Sequence, residues 1–75
     1  MDDEILLSCK QAYLAMYAYL EILYRDSGSD TIAGFLSDLS LLPDGKTADP
    51  AAWKDWMACV HKALNNEVDA DLSLR

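Results

Sequence analysis

The chain has little that breaks a helix. It holds three glycines and two prolines in 75 residues, and neither type occurs between Asp3 and Arg25. It has one histidine, His61, and two cysteines, Cys9 and Cys59, so no Cys-x-x-Cys pair or Cys/His cluster offers metal-ligand spacing. It is short of bases, with 6 Lys and Arg against 13 Asp and Glu and a net charge of −7. A surface this acidic repels nucleic-acid phosphates and anionic lipid, favours a basic partner, and keeps a small apolar protein in solution. No apolar run approaches the roughly 20 residues of a membrane span. Asp2, Asp3 and Glu4 stand where a signal peptide would be positive, so a cytoplasmic protein is expected.

What is present points to one folded domain. The apolar fraction is 52 % and the charged fraction 25 %, which suits a globular chain and not a disordered one. A chain of this size buries only about 60 % of the surface its unfolded form exposes, so its core is small. Cys9 and Cys59 are expected as buried free thiols, with a bridge possible only if their helices are neighbours.

The periodicity predicts three helices, over 3–25, 30–41 and 50–65, in an all-α antiparallel bundle with a long first helix. Residues 1–66 form the domain and 67–75 a loose tail, whose Val68, Leu72 and Leu74 pack loosely at most. In the first helix, Leu6, Cys9, Tyr13, Met16, Leu20 and Leu23 alternate at spacings of three and four, as in a helix seam. Flanking apolar lines make the apolar surface wider than the stripe of about 100° that a surface helix needs. Only Glu4, Ser8, Gln11, Ala15 and Ala18 read as solvent-facing. The leading acids and Arg25 suit the two ends of a helix dipole.

Gly28 is placed to end that helix and Ser27 or Ser29 to cap the next. Ile32, Phe35, Leu36 and Leu39 share a face of the second helix. Gly34 inside it costs about 1 kcal/mol relative to alanine and is tolerable if it permits close contact with another helix. Asp49-Pro50 is a helix start, with aspartate as N-cap and proline at the first helical position. Trp53, Trp56, Met57, Val60 and Leu64 then lie on one face.

No chemistry-bearing motif survives inspection. Gly45-Lys46-Thr47 matches the end of a phosphate-binding loop, but position 40 is Ser40 and not glycine, a helix precedes it, and the next helix begins only at Pro50. Pro43 and Gly45 make the stretch a tight turn instead. Asp44 to Asp55 has the length of a calcium-binding loop, but Lys46, Asp49 and Asp55 occupy its third, sixth and twelfth positions, where an acid or amide, glycine and glutamate belong. Cys59 and His61 are two apart on a helix, about 200° around it, and do not meet. The chain is therefore expected to be no enzyme and to carry no cofactor or metal.

Four tyrosines, Tyr13, Tyr17, Tyr19 and Tyr24, fall within twelve residues. Core packing accounts for two or three of them. The remainder, Tyr17 and Tyr24 with Glu21, Asp26, Asp30 and Asp38 as an acidic rim, is the candidate partner-binding face. A homodimer packed through the Leu6-to-Leu23 seam is the alternative.

Gly28-Ser29-Asp30, the run Asp38 to Gly45, and the run Ala48 to Trp56 resemble a family of short uncharacterised bacterial proteins with a GSD…LSLLPDG…ADPAAWxDW pattern. Size, acidity and helical build give a weaker similarity to the small immunity proteins that accompany bacterial toxins. The resemblance implies a bacterial helical protein and, through that second step, a non-catalytic inhibitor that covers a toxin partner.

Overall fold

The computed structural model describes residues 4–71 and is all-α, with helices α1 (Cys9–Ser27), α2 (Asp30–Leu39) and α3 (Pro50–Leu64). Asp2, Asp3, Leu72 and Leu74 lie outside the described residues.

Helix α1 begins at Cys9, later than the expected Asp3. The cause is a capping box. Ser8 Oγ accepts from Gln11 N–H and Gln11 Oε1 accepts from Ser8 N–H, both at 3.0 Å. Two backbone donors that a helix start leaves unpaired are thereby satisfied, which fixes the boundary. Glu4 therefore precedes the helix, and its charge does not sit in the first turn. Ile5, Leu6 and Leu7 are left in an irregular segment, with Leu6 93 % exposed.

At the other end Gly28 takes a left-handed conformation, φ 64°, and its N–H bonds to Tyr24 C=O at 2.7 Å. A residue with a Cβ is strained there, which is why glycine ends this helix. Ser29 then caps α2 by accepting from Ile32 N–H. Helix α2 stops at Leu39, two residues before the expected end. Nothing approaches within 4 Å of where a Cβ at Gly34 would stand, so Gly34 makes no close helix contact and its cost is uncompensated.

Between α2 and α3 the chain makes a small doubled-back loop. Leu41 and Thr47 pair as an isolated antiparallel bridge, Leu42 N–H bonds to Lys46 C=O, and Gly45 N–H returns to Leu42 C=O. Gly45 sits at φ 83° and Asp44 Oδ1 accepts from Lys46 N–H at 2.9 Å. The Gly45-Lys46-Thr47 triplet is thus the closing arm of a turn. Thr47 is buried and its hydroxyl donates to Asp49 C=O at 2.7 Å. Ala48 and Asp49 N–H groups bond back to Ser40 and Asp38 carbonyls, which ties the loop to the end of α2.

Helix α3 starts as expected, with Asp49 accepting from Ala51 N–H and Pro50 in the first turn. It ends in a left-handed Asn66, φ 56°, with Asn66 N–H to Ala63 C=O and Glu67 N–H to Lys62 C=O. That pair of bonds is a Schellman ending with asparagine in glycine's place. Residues 67–71 are exposed and irregular, and Val68 packs on nothing that hides it.

The three helices meet at one side chain. Tyr13 on α1 is 0 % exposed, the only large side chain fully buried among the described residues. Its hydroxyl donates to Leu39 C=O at 2.7 Å, satisfying a carbonyl at the end of α2. Its ring lies 5.5 Å from Trp53 and 5.4 Å from Trp56, the latter edge-on at 87°. Trp56 Nε1–H in turn reaches Cys9 C=O at 3.3 Å. Edge-to-face aromatic pairs add about 0.5–1.5 kcal/mol each beyond their buried area. Since Tyr13 near the start of α1 touches the end of α2, those two helices run antiparallel.

Around this point the packing is thin. The chain exposes 6367 Å², whereas a compact monomer of 8.3 kDa exposes about 4,600 Å². The radius of gyration is 13.9 Å against about 11.3 Å for a compact chain of this length. The irregular segments 4–8 and 65–71 carry part of the excess. On the helices themselves Leu14, Ile22, Phe35 and Leu64 stay 42–72 % exposed.

Candidate functional site

The surplus apolar surface is on the outside of α1. Leu14, Ala18 and Ile22 recur at i, i+4 and i+8 and form one strip. Leu14 is 47 % and Ile22 42 % exposed, and Ala15 and Ala18 are also exposed. Two flanks border the strip. Tyr17, Glu21 and Tyr24 share one side, and Ala15, Tyr19 and Asp26 the other, with Tyr19 61 % exposed. Ala15 and Ala18 were expected to face solvent, and they do, but as the floor between larger apolar neighbours.

The expected seam is distributed differently. Leu6 lies before the helix and cannot continue a helical line. Tyr13 is buried within its own chain, and Cys9, Met16, Leu20 and Leu23 are half-buried on the same inner side of α1. The period of three and four marks the face that packs on α2 and α3. A second copy has no access to Tyr13.

Of the candidate partner face, Tyr17 is half-buried while Glu21 and Tyr24 are exposed one helical turn apart. Asp26 carries the one ion pair found among the described residues, to Arg25 at 3.6 Å, and both side chains are well exposed. Such pairs add little to stability. Asp26 and Asp30 flank the Gly28–Ser29 turn, and Glu21 stands toward the same end of α1 but on the opposite flank of the strip. Asp38 lies away from that end. It stands eight residues on, about 12 Å along the helix axis, and lines a hollow of about 320 Å³ with Asp49, Asp55, Phe35 and Cys59. The acidic rim is therefore two groups. The second was missed because Asp38 and Asp49 come together only through the loop's backbone bonds.

Cys59 is exposed and Cys9 half-buried, and both are free thiols. The expectation that both are buried fails for Cys59, because the far half of α3 packs on little: Leu64 is 72 % exposed. His61 is exposed. Among the described residues no three of His, Cys, Asp and Glu converge on a metal-sized site, and no helix is long and apolar enough to cross a membrane. The Tyr13 phenol is pushed above its usual pKa of 10.0, first by burial and then by Tyr17 nearby. It is a structural group, since its hydroxyl is committed to Leu39.

A second, larger hollow of about 500 Å³ lies between α1, the turn and the start of α3. Trp53, Leu41, Leu42, Lys10 and Lys46 are among its lining residues, with the buried Tyr13 behind. It was not anticipated, because Lys10 and the turn are far apart in sequence and no motif links them.

Comparison with protein-family models, with curated proteins and with solved structures finds no match to this chain.

Proposed function

We propose that this chain is a non-catalytic binding module that docks a basic protein on the outer face of α1. The observation that carries this is the exposed strip Leu14, Ala18 and Ile22 with Tyr24 and Glu21 at its edge. Apolar anchors inside a polar rim are the usual layout of an interface. The net charge of −7 supports a basic partner, whose approach it would accelerate. In its most concrete form the module is an immunity-type inhibitor that covers a toxin's basic surface, a cytoplasmic bacterial role that rests on acidity, size and the sequence resemblance.

One observation favours a homodimer as the second reading. Antiparallel pairing of two α1 helices about Ala18 sets Leu14 opposite Ile22, and Lys10 opposite Asp26, of the other copy. Charge opposes it. Two bodies of −7 about 25 Å apart repel by about 3–4 kcal/mol in 10 mM salt and by under ~0.5 kcal/mol at physiological salt. Light scattering over a dilution series at both salt concentrations separates the two readings. The hetero-partner reading expects a monomer throughout. A dimer that tightens as salt rises, and that Ile22→Arg dissolves, would give the face to a second copy.

A further inference from the structure

The geometry points to a ligand site in the hollow between α1 and the 40–49 loop, for a small amphipathic carboxylate such as a medium-chain fatty acid. Three observations carry it. At about 500 Å³ the hollow has the size of a small-molecule pocket. Its accessible walls are apolar and aromatic, from Trp53, Leu41, Leu42 and Pro50, with the buried Tyr13 behind them. Its polar edge is cationic: Lys10 and Lys46 line it and no Asp or Glu does, in a chain with 13 acids and 6 bases.

Both lysines line the hollow, one from α1 and one from the turn. Lys10 projects from the first turn of α1 over the loop, so that a Cβ at Gly45 would stand 3.6 Å from its Nζ. Lys46 is held by the Asx turn at Asp44, through its own backbone N–H. Neither ammonium has a hydrogen bond or ion pair to another described residue. A carboxylate between them would gain charge-assisted bonds from both. An alkyl chain behind it would cover the exposed edge of Trp53 and Leu42, which are among the incompletely buried apolar side chains. The neighbouring hollow at α2 and α3 has the opposite character, with Asp38, Asp49 and Asp55 on its lining, and would reject the same ligand. This site is separate from the outer face of α1 and stands or falls independently of it.

The test is a calorimetric and tryptophan-fluorescence titration of the full chain with decanoate, decanol and decyltrimethylammonium. Decanoate is expected to saturate one site and to bind at least about ten-fold tighter than decanol, with the cation weakest, because only the anion meets both ammonium groups. The double variant Lys10→Glu/Lys46→Glu changes exposed side chains, so it should fold, which circular dichroism checks. It is expected to lose about ten-fold or more for decanoate and under two-fold for decanol. Leu14→Arg, on the outer face, should leave decanoate binding unchanged. Equal affinity for decanoate and decanol, wild-type decanoate binding by the folded double variant, loss of binding in Leu14→Arg, or no saturable binding would each overturn the proposal.

Discussion

Removing one oxygen atom, in Tyr13→Phe, tests the packing most sharply. The ring would stay between Trp53 and Trp56, and the only group lost is the hydroxyl that donates to Leu39 C=O at 2.7 Å. Tyr13 is 0 % exposed, so water cannot easily replace that donor. The Leu39 carbonyl is part-buried, so losing its donor costs about 1 kcal/mol, rising toward about 3 if water does not reach it. Stability for a domain of this size is about 4–11 kcal/mol in total. The expected loss is thus a substantial share, and it converts to a fall in melting temperature of about 4–8 °C per kcal/mol. Tyr13→Ala goes further. It removes the ring as well and should cost about 3–5 kcal/mol, as other aromatic truncations in cores do, enough to unfold much of the population. Tyr13→Glu belongs with it, and would abolish folding without reporting on any dimer. The assay is urea unfolding followed by tryptophan fluorescence, since both tryptophans contact this ring. If Tyr13→Phe unfolds within ~0.3 kcal/mol of wild type, the hydroxyl does not tie α2 to α1 and the packing argument fails.

Further outcomes follow from the same structure. Stability should fall as pH rises above about 10, because burial holds the folded phenol of Tyr13 above its ordinary pKa and the unfolded chain releases that proton first; Tyr13→Phe should flatten this alkaline limb in urea unfolding at pH 9 to 11. The two helix-region glycines should respond in opposite senses. Gly28→Ala, at φ 64°, should destabilise by about 1 kcal/mol, and Gly34→Ala, in open space on α2, should stabilise by about 0.5–1 kcal/mol; equal signs in thermal unfolding would contradict both assignments. Ser8→Ala should cost about 1 kcal/mol and fray the start of α1, seen as faster amide exchange over residues 9–12. A thiol reagent should modify exposed Cys59 well before half-buried Cys9 in the folded chain, and equal rates would mean that α1 does not pack as described.

How much of this was legible depends on the range of the interactions involved. The turn at Gly28, the cap at Asp49-Pro50 and the count of three helices are local events, each decided within four residues, and each follows from residue type alone. The start of α1 was also local, but two signals competed. Ile5, Leu6 and Leu7 continue the apolar period toward the N-terminus, while Ser8 and Gln11 close a capping box inside it. The box wins because it satisfies backbone donors, whereas the apolar residues upstream find nothing to pack on. Asn66 ends α3 as glycine would, and only its backbone conformation reveals it. Tyr13 was seen as one position in a seam. Its role depends on Leu39 and Trp56, 26 and 43 positions away in the chain, which no periodicity reports. The same holds for the site. Glu21 and Tyr24 are one turn apart and were readable as a pair, whereas the separation of Asp38 from them, and the meeting of Lys10 with the turn, are products of the tertiary path.

The proposed docking of another, basic protein on the outer strip of α1 can be tested in cells. The most direct measurement is photo-crosslinking in cells that make this chain, with a benzophenone side chain at position 22 and a control at position 64, whose leucine is also exposed. The expected result is an adduct at position 22 with a different protein of basic isoelectric point, absent at position 64 and lost when Leu14→Arg is added. An adduct of equal yield at both positions, or one whose mass is that of a second copy of the chain, would contradict it.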